Sequence, residues 1–265
     1  MTGSAAAARA NLLCFESAAR THPGHRRTVN EDRVLNRPEA GLWAVADGMG
    51  GHQAGDVAAA SVIDALGAIT PGGSGYSRLV DILREVDRVN AALVGGQAGG
   101  RTCSGSTLVA LLVHEGHYAC VWAGDSRAYL FRDGVLSAIT RDHSIVQQLI
   151  DGGALHEGER RRHPSAHVIT RAIGAAPRIE LDRQFAPIAA GDIFLLCSDG
   201  LTACLEDGDI AEALQAGDMA QLADRLLGLA LARGAPDNVS IVIVRAFTMD
   251  ACPGLERESD PGRNG

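Results

Sequence analysis

Three apolar runs in this chain each end on an aspartate, and that recurrence constrains the fold more than any other feature. Leu42-Trp43-Ala44-Val45-Ala46 runs into Asp47-Gly48, Ile193-Phe194-Leu195-Leu196-Cys197-Ser198 runs into Asp199-Gly200, and a run ending Val121-Trp122-Ala123 meets Gly124-Asp125. A fourth aspartate, Asp237, stands just before the apolar run that begins at Val239. Runs rich in Val, Ile, Leu and aromatics, bounded by turn residues, read as strands. Strands lie side by side in a sheet, so carboxylates at their ends can converge at one edge. Converging carboxylates repel strongly at low dielectric unless cations neutralise them. Oxygen ligands without His or Cys suit Mg²⁺ or Mn²⁺. Two such ions can activate a water and clamp an in-line phosphoryl displacement. Asp-Gly is also common turn chemistry, so the pattern alone leaves open a reading in which these aspartates only turn the chain.

The rest of the chain indicates α+β organisation. Residues 108–113, 118–123, 128–131 and 239–247 add further strand-like runs. The pair 118–123 and 128–131, with a turn near Asp125, reads as an antiparallel hairpin. Ala58, Val62, Leu66 and Ile69 line one face of a helix; after Gly72-Gly73-Ser74-Gly75, Leu79, Leu83, Val86 and Leu93 line a second. Asp218 is placed to cap a third, with Gln221 three positions on and Leu222, Leu226 and Leu229 facing inward. Helix pairs among antiparallel strands imply two packed sheets with helices outside, or an α+β layer fold. Residues 10–248 are expected to form one domain. Residues 140–174 have little strand character and read as an insertion over the sheets, and 249–265 as a disordered tail.

Composition narrows the partners. A hydrophobic content of 46% with 21% charged residues describes a soluble globular chain. A net charge of -8 and a pI near 5.6 argue against nucleic acid or an anionic membrane as partner. All 24 basic residues are arginine. The 6 cysteines form no CxxC pair and no Cys/His metal spacing, and reduced thiols are the expected state. No apolar stretch reaches membrane-spanning length and no secretory core follows the N-terminus, so a cytoplasmic location is expected.

Ordered motifs decide between the two readings of the aspartates. Arg27-Thr28-Val29-Asn30-Glu31-Asp32 resembles the R-x-x-N-E-D opening of the bacterial type 2C (PPM) metal-dependent protein phosphatases. Asp47-Gly48-Met49-Gly50-Gly51-His52 is similar to that family's D-G-M-G-G-H, and Gly105-Ser106-Thr107 to its G-T-T. Gly124-Asp125-Ser126-Arg127-Ala128-Tyr129 followed by Thr140-Arg141-Asp142-His143-Ser144 resembles G-D-S-R-x-Y and T-x-D-H-S. Ser198-Asp199-Gly200-Leu201 and Asp237-Asn238-Val239 match S-D-G-L and D-N-V. Each motif alone is weak; together, in order, they are specific and span roughly residues 27–244.

The resemblance implies a β-sandwich of two antiparallel sheets flanked by helix pairs, with a flap near 140–174. It implies a monomeric protein serine/threonine phosphatase in which a hydroxide bridging two Mn²⁺ or Mg²⁺ ions attacks phosphorus directly. Asp47 would bridge both ions, the Gly48 carbonyl would ligate one, and Asp199 and Asp237 would complete the set. Asp125 with Asp199 would hold a weaker third ion. Arg27 would grip the phosphate, and Glu31 and Asp32 would orient metal-bound waters. Many eukaryotic members carry a histidine general acid where this chain has Met49, which leaves two proton sources: a water on the third ion, the one expected, or bulk water with Asp125 only capping a turn. Substrates would be phosphoproteins made by a partner kinase.

Several features read more plainly. Arg160-Arg161-Arg162-His163, in the flap, reads as a solvated loop before a grip for acidic phosphopeptides. His52, His143 and His163 read as structural hydrogen-bonding residues, Asp142 and His143 as ties for the flap. Ser126 and Ser198 lack a nucleophile signature such as GxSxG. Two other functions compete: a non-catalytic binding module on the same fold, which would be expected to have lost metal aspartates, and a hydrolase of nucleotides or small phosphate esters, for which no Gly-rich nucleotide loop appears.

Overall fold

The computed structural model describes residues 13–50, 54–97, 104–248 and 250. Two antiparallel sheets pack face to face. The first has the order β1 (Leu13–His22), β11 (Val239–Thr248), β10 (Ile193–Cys197), β7 (Arg127–Arg132), β8 (Val135–Ala138). The second runs β2 (Asp32–Arg37), β3 (Leu42–Met49), β5 (Leu108–His114), β6 (His117–Ala123), β9 (Asp182–Pro187), with the short β4 (Gly105–Ser106) paired to the end of β3.

Alternation along the strands builds four layers. Trp43 and Val45 of β3 enter the space between the sheets and join Val109, Leu111, Phe194, Leu196, Val242 and Val244. Their neighbours Leu42, Ala44 and Ala46 face outward under α1 (Ala54–Gly67) and α2 (Gly75–Gln97). The segment between β8 and β9 carries α3 (Ile145–Asp151) and a 3-10 turn at Glu157–Arg162. On the far side α4 (Asp199–Cys204), α5 (Asp207–Ala213) and α6 (Met219–Ala232) cover Leu195, Ile241 and Ile243. The expected α+β sandwich with outer helices is the observed fold. Central strands are buried on both faces, which is why they read as unbroken apolar runs.

The helix faces follow the sequence closely. Ala58, Val62 and Leu66 are buried on α1, and Ile69 just past its end. On α2 the buried stripe is Leu79, Ile82, Val86 and Val89, with Leu83 and Leu93 only partly covered, so the stripe is turned slightly from the expected one. Asp218 accepts from the Gln221 N–H at 2.8 Å while the Gln221 side chain reaches back to the Asp218 N–H. Leu222 and Leu226 are buried. Residues 140–174 carry helical turns and isolated bridges, Ser144 to Ile169 and Ser106 to Ile173. Apart from Asp250, the expected tail lies outside the described residues. Among the described residues, no helix is long and apolar enough to cross a membrane.

Three expectations need correction. β6 and β7 are not a hairpin: β6 pairs with β5 and β9, whereas β7 pairs with β10 and β8 in the facing sheet. Gly124-Asp125-Ser126 carries the chain across the sandwich, and turn chemistry looks alike whether a chain reverses in one sheet or crosses to another. Asp47-Gly48 is not a turn, because β3 continues to Met49 and pairs Gly48 with Ser106. Asp199-Gly200 opens α4.

Candidate active site

At one end of the sandwich the inward-facing positions change from apolar to polar. On β3 they run Trp43, Val45, Asp47, and on β2 Val34 is followed by Asp32, directly opposite Asp47 in the register. Thr107 continues the face of Val109 and Leu111, Ser126 that of Ala128, Ser198 that of Leu196, and Ser240 that of Val242. Strand periodicity alone therefore delivers carboxylates and hydroxyls from both sheets to one place.

The hydroxyls fix the carboxylates. Ser198 Oγ donates to Asp32 Oδ2 at 2.7 Å and accepts from the Ser240 N–H at 3.0 Å. Thr107 Oγ1 accepts from the Asp47 N–H at 3.0 Å and lies 2.7 Å from Ser126 Oγ. The Thr107 N–H returns a bond to the Asp47 carbonyl at 2.8 Å. Neither Ser126 nor Ser198 is arranged as a nucleophile; both hydroxyls are spent on these ties. The loop from Arg27 to Asp32 is pinned by Asn238, whose Oδ1 accepts from the Glu31 N–H and whose Nδ2 donates to the Pro23 and Val29 carbonyls. Sequence reasoning gave Asn238, Thr107, Ser198 and Ser240 no role, although all lie in or beside the quoted motifs.

Gly48 is required by close approach. A Cβ there would come 2.1 Å from the Gly55 carbonyl oxygen and 2.8 Å from that of Glu31. Only glycine lets the end of β3, the start of α1 and the Glu31 loop meet.

The electrostatics are severe. Asp32 is 1% exposed, and burial pushes its carboxyl up to about 7 against the hydrogen bonds from Ser198 and Ser240. Burial, then Asp199 and Asp142, push Asp125 up to about 8. Asp47 and Asp199 are half-buried, leaving an opening to solvent. Desolvation by the surrounding protein still raises both, and repulsion adds to it: Asp32, Asp199 and Asp125 act on Asp47, and Asp237 on Asp199.

Arg27 is the basic side chain paired to this group: its Nη2 donates to Asp237 Oδ2 at 2.7 Å, with about half of its side chain exposed. The other Asp237 oxygen accepts from the Asn238 N–H at 2.9 Å. Among the described residues no three Asp, Glu, His or Cys side chains stand as a closed ligand cage, and the Asp237 carboxylate is paired with the Arg27 guanidinium. Glu31 Oε1 and Asp32 Oδ1 are buried without a hydrogen-bond partner. Orphaned carboxylate oxygens beside protonation-prone aspartates form an all-oxygen donor set that fits a hard divalent cation.

A cavity of about 550 Å³ opens from Asp125 and Asp199 between the flap and the α4–α5 corner, lined also by Arg127, Asp142, Arg160, Arg161 and Glu206. The basic run is solvated in part, as expected, with Arg161 and Arg162 exposed and Arg160 half-buried. Arg160 is spent on Asp142, Gln147 and Glu157, and Arg161 on Glu206 and the Leu205 carbonyl. Arg162 is exposed. His163 Nδ1 accepts from the Ser165 N–H, a structural bond as expected, while His52 lies outside the described residues. Met49 ends β3 beside this group and has no proton to give.

Residues 21–233 match the family model described as Protein phosphatase 2C. The chain is 40% identical over 241 residues to the serine/threonine protein phosphatase PstP of Mycobacterium tuberculosis, covering 90% of this chain and 46% of that protein. It therefore spans about half the length of that curated relative. PppA of Pseudomonas aeruginosa, described as a key regulatory component of T6SS, superposes with a TM-score of 0.83 at 42% identity, covering 88% of this chain and 98% of that one. The catalytic domain of PstP in complex with two manganese ions superposes with a TM-score of 0.82 at 38% identity, covering 89% and 100%.

Proposed function

The chain belongs to the protein phosphatase 2C family, and on that premise we propose that it is a metal-dependent protein serine/threonine phosphatase. The observation that carries this reading is the crowd of carboxylates at the sandwich edge, with Glu31 Oε1 and Asp32 Oδ1 left without partners. Asp47, Asp199 and Asp237, with the Gly48 carbonyl, would hold two Mn²⁺ or Mg²⁺ ions, and Asp125 with Asp199 a third. Such ions supply Lewis acidity and a low-pKa water as nucleophile. The rest falls to this chain's own side chains. Arg27, half exposed on a flexible stem, presents its guanidinium fork to the substrate phosphate. Glu31 and Asp32 accept hydrogen bonds from water at the site, and Ser198 with Ser240 keeps Asp32 aimed there. The cavity beside Asp125 receives the residues flanking a phosphoserine or phosphothreonine. The substrates are phosphoproteins, products of a protein kinase. No core aspartate is missing, which favours an enzyme over a binding module on the same fold.

Purified protein assayed on a phosphothreonine peptide with Mn²⁺, then with excess EDTA, tests the reading. Turnover should appear with the metal and vanish with the chelator. Full turnover in excess chelator would overturn it.

A further inference from the structure

The chemistry proposed above gives Asp142 and His143 no task, yet together they grip the chain on both sides of Asp125. Upstream, the Gly124 N–H donates to His143 Nδ1 at 3.1 Å, and the His143 N–H donates to the Gly124 carbonyl at 2.8 Å. One residue thus satisfies both backbone groups of Gly124. Downstream, Arg127 Nε and Nη2 donate to Asp142 Oδ1 and Oδ2 at 2.8 and 2.7 Å. Asp125 sits between these two grips.

The turn being gripped is not self-supporting. Gly124 has φ +106°, and a Cβ there would fall 2.6 Å from Thr107 Cγ2. Glycine is therefore forced at this position, and glycine brings the most backbone freedom to be restrained. The grip supplies that restraint from a sheet-anchored neighbour. The His143 ring stacks on Trp122, with centroids 6.3 Å apart and planes 12° apart, and its Nε2 lies 3.2 Å from Asp182 Oδ2 on β9. Nδ1 accepts from Gly124, so the ring proton is assigned to Nε2, which lies near Asp182 without hydrogen-bond geometry.

The other side of the same dipeptide holds the flap. The His143 carbonyl accepts from the Thr170 N–H at 2.7 Å, and Asp142 Oδ2 accepts from Arg160 Nη1 at 3.1 Å. We infer that Asp142-His143 is a clasp that sets the position of Asp125 and couples it to the seating of the flap. Both are positioning residues, and the inference rests on the role proposed for Asp125. A displacement of about 1 Å in a working group is enough to cost up to about a hundredfold in rate, so a clasp on its two flanks has a catalytic consequence.

The test uses the whole chain and the histidine, because removing Asp142 leaves the half-buried Arg127 without its anion and threatens the fold. His143→Ala removes the side-chain acceptor. His143→Asn restores one where Nδ1 stood, and His143→Gln places its acceptor too far out. With a phosphopeptide and Mn²⁺, His143→Ala should lower kcat about tenfold while KM moves less than about twofold. His143→Asn should recover most of the loss and His143→Gln should not. In an Asp125→Ala background, His143→Ala should add no further loss, because its effect runs through Asp125. In metal-free protein, amide hydrogen exchange at Gly124 should quicken in His143→Ala and return in His143→Asn. Unchanged exchange at Gly124 would overturn the clasp itself. An impaired Asp125→Ala in which His143→Ala costs its full factor again would overturn its task as a positioning device. Asp125→Ala with wild-type turnover would instead remove the role given to Asp125, and the exchange measurement would still decide the clasp.

Discussion

The flap and the sandwich edge treat the same side chain in opposite ways. In the flap, Asp142, Asp151 and Glu157 are matched by arginines. Asp142 takes a two-pronged contact from Arg127 and another from Arg160, Glu157 pairs with Arg160, and Asp151 with Arg141. The hydrogen bond from Arg160 holds Glu157 below the usual carboxylate range, and that from Arg141 does the same for Asp151. At the sandwich edge burial and mutual repulsion push Asp32, Asp47, Asp125 and Asp199 the other way. The chain has 24 arginines to spend, and among the described residues none is salt-bridged to these four, while Arg27 pairs with the neighbouring Asp237. A fold that neutralises its flap internally and leaves its centre uncompensated is built for charge arriving from solvent.

The sharpest way to break that contrast is to remove the central charge. Asp47→Asn or Asp237→Asn should abolish phosphopeptide turnover with the fold intact by circular dichroism. Retention of more than about a tenth of the activity, a barrier change of only ~1.4 kcal/mol, would contradict the roles given. Stability should respond with opposite signs in the two regions. Asp142→Asn leaves the Arg127 side chain, 18% exposed, without its anion and takes one of two anions from Arg160, and should cost about 3–5 kcal/mol in denaturant unfolding. Asp47→Asn relieves repulsion and should raise the melting temperature of the metal-free protein. A fall in both variants would mean that the centre is not a reservoir of repulsion.

How much of this was legible in the sequence depends on where an element sits. Central strands β3, β5, β6, β10 and β11 are buried on both faces and announce themselves as apolar runs. Every longer strand the sequence did not reveal is an edge: β1, β2, β8 and β9 each have one strand neighbour. β9, Asp-Arg-Gln-Phe-Ala-Pro, carries charge and a proline, as edges do to avoid pairing with other chains. The same apolarity that revealed β6 and β7 concealed their partners, because a strand buried on both sides carries no alternation to fix its register. At the site, the aspartates were legible because a carboxylate after an apolar run demands explanation. The hydroxyls of Thr107, Ser198 and Ser240 were not, since their partners lie on other strands and appear only once the sheets are paired. The grip of His143 on Gly124 likewise needs the crossing between sheets that a hairpin reading denied.

Acidity offers a gentler probe of the same contrast. Asp32 and Asp125, at about 7 and about 8, lie far above the ~3.9 of an unfolded aspartate. Between these limits the metal-free folded protein holds protons that the unfolded chain has lost. Stability must then fall as pH rises. The flap carboxylates have the opposite sign, and their contribution is lost only below about pH 4, as they protonate. The metal-free protein should therefore melt highest near pH 5 and progressively lower toward pH 8. Mn²⁺ should raise the melting temperature more at pH 8 than at pH 5, since at the lower pH it must displace protons. A melting temperature that is flat or rises from pH 5 to 8 would remove the repulsive centre from the account.

The smallest effect belongs to the most exposed member of the matched set. Arg141 Nε meets Asp151 Oδ2 at 2.9 Å, close to the 2.8 Å between Arg127 Nε and Asp142 Oδ1. Distance does not separate the two pairs; burial does. The Arg141 and Asp151 side chains are 63% and 36% exposed, whereas those of Arg127 and Asp142 are 18% and 8% exposed. In water the Coulomb gain is screened and is offset by the entropy of holding two long side chains in one geometry. Asp151→Asn also keeps an acceptor for the Gln147 side chain, which donates to Asp151 Oδ1 at 2.6 Å. Its melting temperature and phosphopeptide kinetics should match wild type at 0.15 M salt. If Asp151→Asn destabilised the protein as much as Asp142→Asn, the flap's ion pairs would act as one network, and burial would not be what distinguishes Asp142 from its exposed counterpart.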